Sequence, residues 1–449
     1  MGIKALIGPM VSRAITSNRR RDTQRRRFED ARVRAGKPHE VLYFHQVDDP
    51  YSALMAGRLA GLVEQYGVVL TPHLVPPPPG WAAPERQKLT VYARRDAALI
   101  APAYGLDYCD RAIPSAPEVE RAQSILKSAI DTGRFAVAAP VVARALGAGD
   151  SLDAAEAAFG SATPATVAAA LEAGDRLRNR LGHYLGATLH HAGEWYWGVD
   201  RLGDLEMRLG ALGCGDGGPA FHALATRPQL RFLETARAAD TRTPALEMFL
   251  SFRSPYTYLA MERVRALVSH YGVELRLRFV LPMVMRGLPV PAAKRTYILR
   301  DCKREADHLG FPFGSVCDPV GRPVERGLAI LNGAIATGSG MAFACSFLRG
   351  VFAEAIDAGS DSGLRHLVER AGLDWQQALV WMADESWREV AEDNRRSMFA
   401  DQLWGVPSFR FGDLATWGQD RLWLVEQAII ETLGGPKATA SDFGTGTKT

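Results

Sequence analysis

No Cys-x-x-Cys pair occurs in these 449 residues, and the five cysteines, Cys109, Cys214, Cys302, Cys317 and Cys345, are irregularly spaced. An odd, unpatterned set argues against a disulfide framework, a structural zinc site and a dithiol redox centre alike. No apolar run approaches the ~20 residues needed to cross a bilayer. Arg13 interrupts the apolar N-terminus and no small-residue cleavage site follows it. A secretory signal is therefore not expected, and the expected address is the cytoplasm. With 47% hydrophobic and 23% charged residues the chain reads as globular, and its length suits two cores better than one.

Acidic charge is thin where the chain begins. Residues 1–40 carry 11 Lys/Arg against 4 Asp/Glu, while the other 409 carry 42 against 46. The basicity thus belongs to a leader holding Arg19-Arg20-Arg21 and Arg25-Arg26-Arg27. Such a run can touch nucleic acid or anionic lipid, but a solvated helix or arm is the simpler expectation. The body itself gives no reason to expect nucleic-acid binding.

Self-similarity at one offset organises everything that follows. Pro50-Tyr51-Ser52-Ala53-Leu54 answers Pro255-Tyr256-Thr257-Tyr258-Leu259, and Tyr92 through Asp96 answers Tyr297 through Asp301, both 205 residues on. Ile125-Leu126 and Thr132-Gly133 keep that register with Ile330-Leu331 and Thr337-Gly338. Trp197-Gly198-Val199-Asp200-Arg201-Leu202 answers Trp417-Gly418-Gln419-Asp420-Arg421-Leu422 at an offset of 220, so the copies differ by 15 residues in between.

Each copy reads as β-α-β, a helical insertion, then β-β-α. Strands are expected at Val41–Gln46 and Val68–Val75, and again at Leu246–Phe252 and Glu274–Leu281. The first helix of each copy starts at Pro50 or Pro255. The expected division is a basic leader at 1–40, copy one at 41–212, a turn-rich linker at 213–243, copy two at 244–434, and a disordered tail at 435–449. The two copies are expected to pair as a pseudo-dimer, with a further homodimer as an option.

Three places carry candidate chemistry. Ser254 lies between a buried strand and the helix opening at Pro255. A hydroxyl there caps an orphan amide, typically worth ~1 kcal/mol, and stands at the positive end of the helix where an anion is favoured. Val406-Pro407 opens a strand without a donor at Pro407, and a cis bond there would turn backbone groups outward for an extended ligand. Gln419 and Asp420 begin the closing helix, where the acid caps free amides or holds an ammonium. His45, Asp48 and Asp49 cluster at one strand end but fall short of a metal site.

Phe252-Arg253-Ser254-Pro255-Tyr256-Thr257-Tyr258-Leu259, Lys294 through Asp301, Gly405-Val406-Pro407-Ser408-Phe409 and Trp417-Gly418-Gln419-Asp420-Arg421-Leu422 resemble the 2-hydroxychromene-2-carboxylate isomerases. These group with kappa-class glutathione transferases and, more distantly, DsbA-type proteins. The resemblance spans nearly all of 244–434. It implies an α/β thioredoxin fold with a helical insertion, which the internal repeat extends to two tandem copies, with glutathione as cofactor and an aromatic or conjugated small molecule as substrate. It further implies that Ser254 stabilises the glutathione thiolate and that Val406, before a cis Pro407, pairs with the cysteinyl unit. Gln419 and Asp420 would hold the γ-glutamyl end, and Lys294, less so Arg300, a carboxylate.

One departure stands out: the family's Gly-Asn-x-Pro loop is Arg286-Gly287-Leu288-Pro289 here. Copy one carries Asp49 where copy two has Ser254, and Ala187 where it has Pro407. A carboxylate beside a thiolate raises the thiol pKa, so copy one is expected to keep the fold and lose the chemistry. A non-catalytic binding or scaffold protein is the alternative reading. Disulfide exchange needs an attacking thiolate, which neither copy supplies at the equivalent place.

Overall fold

Two four-stranded sheets organise the chain, seen here in a computed structural model that describes residues 3–215, 224–234 and 243–437. It begins with helices α1 (Ile3–Ile15) and α2 (Asn18–Arg34). The N-terminal unit runs Asp22–Gln229; the C-terminal unit takes residues up to Arg21 together with Leu230–Lys437. The chain thus starts in one unit, builds the other, and returns.

In the N-terminal unit β1 (Glu40–His45), α3 (Pro50–Tyr66) and β2 (Val69–Leu74) form a parallel β-α-β turn. Helices α4 (Arg86–Ile100), α5 (Ala116–Asp131), α6 (Phe135–Ala148), α7 (Asp153–Phe159) and α8 (Pro164–Leu181) follow. The unit closes with the hairpin β3 (Thr188–His191) and β4 (Glu194–Trp197), then α9 (Leu202–Gly210). Sheet order is β2-β1-β3-β4, with β3 antiparallel to β1. Pro72 is tolerated because β2 is an edge strand.

The C-terminal unit repeats that order. β5 (Leu246–Leu250), α10 (Pro255–Tyr271) and β6 (Leu275–Phe279) open it. Then come α11 (Ala292–Leu309), α12 (Arg322–Ala336), α13 (Gly340–Ala353), α14 (Asp361–Arg370), α15 (Trp375–Ala383) and α16 (Trp387–Ala400). The hairpin β7 (Ser408–Phe411) and β8 (Leu414–Trp417) and the helix α17 (Leu422–Thr432) end it, in sheet order β6-β5-β7-β8. All five residues of β5 are buried, which is what a central strand covered on both faces requires. Phe252 stacks on Phe347 of α13 at 4.1 Å and so joins the sheet to the helical insertion.

Two expected boundaries are corrected. The expected leader at 1–40 is divided between the two units at Arg21, and its α2 is a solvated helix as expected, with no buried residue. α1 bonds to the C-terminal unit, where Ser12 Oγ donates to the Gly314 carbonyl at 2.9 Å, and Arg25 of α2 donates to Glu194 at 2.7 Å in the N-terminal unit. Residues 213–243 are not simply a linker either. The buried Glu206 accepts the amides of Leu224 and Ala225 at 2.7 and 3.2 Å, and the buried Glu426 accepts those of Arg231 and Phe232, both at 2.7 Å. A tyrosine hydroxyl, from Tyr66 or Tyr271, donates to each carboxylate at 3.0 Å. Two paired acids thus capture two stretches of the same segment. The tail beyond Lys437 lies outside the described residues. Among the described residues no helix is long and apolar enough to cross a membrane.

Candidate active site

Ser254 leaves β5 through a tight turn, its own amide donating to the Ser251 carbonyl at 3.0 Å. It is the N-cap of α10 in extended conformation, and its Oγ accepts the Thr257 amide at 3.2 Å. Pro255 at the first helical position has no amide to satisfy. The same Oγ donates to the Val406 carbonyl at 3.1 Å, across 152 residues of sequence. Ser254, Val406 and Pro407 are therefore brought together. The Val406-Pro407 bond is cis, and the Pro407 carbonyl accepts the Gly418 amide at 2.9 Å.

The loop before Val406 is wedged by aromatic rings. A Cβ on Gly405 would lie 2.3–2.5 Å from the Trp417 indole, so glycine is needed for the ring to lie there. Trp404 packs against Trp417 at 5.1 Å, and the Lys294 ammonium sits 6.0 Å from the Trp404 ring centre. Lys294 is 9% exposed, and burial pushes its ammonium down to about 8.

Gln419 is placed differently from its expected role. It is 2% exposed, and its Oε1 accepts from Arg263 at 2.5 Å while its Nε2 donates to Glu305 at 2.7 Å and to Asp420. Its amide ties α10 to α11 instead of facing a γ-glutamyl group, because the half-buried Arg263 and the buried Glu305 claim both of its ends. Asp420 is half-buried beside it, and Arg300 is exposed on α11. In place of the Gly-Asn-x-Pro loop a short 3-10 turn spans Met283–Arg286, with Arg286 over the Phe399 ring at 5.9 Å.

Several contributors escape a reading of the sequence. Arg253, directly before Ser254, donates through Nε and Nη2 to both oxygens of Asp318 at 2.7 and 2.8 Å. Asn394 on α16 donates to the Phe279 carbonyl at 3.0 Å and closes the end of β6. Arg253 next to a candidate serine is a visible signal; its partner 65 residues on is not.

In the N-terminal unit Asp49 caps α3, its carboxylate accepting the amides of Ser52 at 3.0 Å and Tyr51 at 3.4 Å. Burial raises its carboxyl to about 6. His45 is in the core with Nδ1 3.1 Å from the Tyr43 hydroxyl, while Asp48 is exposed and accepts from Gln46.

The family model of the DSBA-like thioredoxin domain matches residues 245–430. A 2-hydroxychromene-2-carboxylate isomerase from a Pseudomonas strain is 23% identical over 192 residues, covering 41% of this chain and 89% of that protein. Another, from Pseudomonas putida, is 24% identical across 41% of this chain and 93% of its own length. A solved structure of such an isomerase aligns with 23% identity and a TM-score of 0.37, over 42% of this chain and 95% of its own. Residues 245–430 thus match the DSBA-like thioredoxin domain, and over that stretch the chain is similar to the 2-hydroxychromene-2-carboxylate isomerases.

Proposed function

We propose that the C-terminal unit is a glutathione-dependent isomerase or transferase acting on an aromatic or conjugated small molecule, with Ser254 as its catalytic residue. One observation carries the reading: the Ser254 hydroxyl stands at the N-terminus of a 17-residue helix and shares its hydrogen with the Val406 carbonyl. The similarity to proteins named 2-hydroxychromene-2-carboxylate isomerase supports it. We read the N-terminal unit as a second thioredoxin-like domain whose own site is closed.

The residues fit a thiol ligand at its reactive end. Glutathione held at this turn would supply a thiolate nucleophile for a conjugated substrate, with Ser254, Val406 and Pro407 as the residues that would hold its cysteinyl end. Ser254 turns its hydrogen from the Val406 carbonyl to that sulfur, and the helix end adds its positive field. Lowering a thiol pKa by two units takes ~2.7 kcal/mol, which a charge-assisted hydrogen bond and a helix terminus together supply. The Val406 carbonyl, relieved of Ser254, accepts a ligand amide, and Lys294 faces a carboxylate of ligand or substrate. Asp420, which also accepts from Gln419, would hold the γ-glutamyl ammonium.

Calorimetry with reduced glutathione and turnover of a chromene carboxylate test this directly. Wild-type binding and turnover are expected, with turnover collapsing in Ser254→Ala. Absence of binding, or unchanged turnover in that variant, overturns the reading. The internal engagement of Gln419 favours a second reading, a binding module without catalysis, which Ser254-dependent turnover would exclude.

A further inference from the structure

The loop between α11 and α12 is held from two sides. From α13, the Val351 and Phe352 carbonyls accept the amides of Cys317 and Gly314 at 2.8 and 3.1 Å. From α1, Ser12 Oγ donates to the Gly314 carbonyl at 2.9 Å and accepts the Val316 amide at 3.0 Å. Arg13 donates to the Ser315 hydroxyl at 2.9 Å. Ser12 and Thr16 are buried. Gly314 adopts φ +118°, and a Cβ there would lie 2.3 Å from Thr16 Oγ1. A helix that only shielded apolar surface needs none of this; a serine that satisfies a carbonyl and an amide two residues apart fixes the loop's register.

Two residues beyond that grip, Asp318 holds Arg253 in a two-pronged pair, and Arg253 is joined to Ser254 by one peptide bond. A bidentate guanidinium–carboxylate pair fixes orientation as well as distance. An unbroken path of named bonds therefore runs from Ser12 through the 314–318 backbone and Asp318 to the turn that aims Ser254.

We propose that α1 is a positioning element of the Ser254 site, with Ser12 acting through Asp318 and Arg253. The proposal concerns the same site as the glutathione reading, but its geometry does not depend on what the site binds. Ser12 and Asp318 are positioning residues: neither is placed on a reacting atom.

The test uses the full chain and two readouts that need no ligand. Peptide-level alkylation of Cys317, buried next to Asp318, reports loop opening; Cys302, wholly buried in the core, reports global unfolding. Hydrogen exchange in the peptide spanning residues 252–258 reports the Ser254 turn. Ser12→Ala and Gly314→Ala are each expected to speed Cys317 alkylation about tenfold with Cys302 unchanged, and to speed exchange at 252–258. Ser12→Thr, which keeps the hydroxyl, is expected to restore both. In an Asp318→Asn background, Ser12→Ala should add nothing further at 252–258.

Unchanged Cys317 alkylation in both variants overturns the latch. Faster alkylation with unchanged exchange at 252–258 overturns its link to Ser254, as does simple addition of the Ser12 and Asp318 effects. If Cys302 accelerates in step with Cys317, the contact is merely structural and the proposal falls. Glutathione calorimetry on the wild type runs beside these. Failure there sinks the cofactor reading and leaves the alkylation and exchange results to decide the latch.

Discussion

The helices that follow the first strand of each sheet, α3 and α10, start from the same kind of turn, run 17 residues and end at a tyrosine followed by a left-handed glycine. Around that shared frame the polar groups are spent differently. In the N-terminal unit Ser52 Oγ accepts the amides of Gln46 at 3.2 Å and Ala187 at 3.0 Å and donates to Asp49 at 2.8 Å. Asp200 accepts the Tyr104 hydroxyl at 2.7 Å. Ser52, Asp49 and Asp200 are thus engaged within the unit. In the C-terminal unit Pro407 has no amide to give, Thr257 is buried, and the Ser254 hydroxyl bonds the Val406 carbonyl at the half-buried edge. On the proposed reading, such a site closes when its donors and acceptors are satisfied internally, while the strand–turn–helix that frames it is kept.

Importing residues of the N-terminal unit into the C-terminal one is the sharpest way to break that comparison. Ser254→Asp should have the largest effect. A carboxylate at contact distance raises a thiol pKa, and about two units would cut turnover at pH 7 roughly a hundredfold. The ultraviolet thiolate absorbance of bound glutathione should fade with it. Retained turnover would mean that Asp49 is not what silences the other unit.

Gly405→Leu places the residue found at position 185 beneath Trp417. Its Cβ would stand 2.3–2.5 Å from the indole, and overpacking of this kind costs about 1–3 kcal/mol. Denaturant midpoints should fall accordingly. The N-terminal unit tolerates Leu185 because Trp197 packs edge-on against Tyr51 at 5.8 Å.

Lys294→Leu, the residue at position 89, should raise stability and weaken binding of a carboxylate ligand. The buried amine titrates near 8 where an unfolded chain titrates at 10.5, so the fold bears the cost of a buried charge below pH 8. Stability of the wild type should therefore rise between pH 8 and 10.5, and the variant's advantage should shrink across that window. Melting curves at pH 7 and pH 10 decide this.

Asp49→Ser is the reverse exchange and the mildest. The folded carboxyl titrates near 6 against 3.8, so its contribution worsens as pH rises from about 4 to 6 and stays unfavourable above. The variant should gain stability at pH 7 but not at pH 3.5, and should acquire no glutathione turnover.

Much of the frame was legible because local chemistry writes it. Proline at the first helical position, a small polar cap before it, and apolar strands set by period placed β1, α3, β5 and α10 within a residue or two. Ser254, Val406 and Pro407 were legible through their order along the chain. Gln419 was not: its partners Arg263 and Glu305 lie 156 and 114 residues away, and nothing in a polar residue at a helix start distinguishes a ligand contact from an interior tie. Glu206 and Glu426 were missed for a related reason. An acid on an apolar helix reads as an exposed residue until the amides it captures are seen.

The docking of α1 has a consequence for how the chain is made. Ser12 and Gly314 are 302 residues apart, so α1 leaves the ribosome long before its seat exists. At about 5–20 residues per second the interval is roughly 15–60 s, during which the N-terminal unit can complete itself while the helix ahead of it waits. Synthesis order therefore makes the C-terminal unit the last to close, and a ribosome halted before residue 314 would carry a finished first unit with an unseated α1.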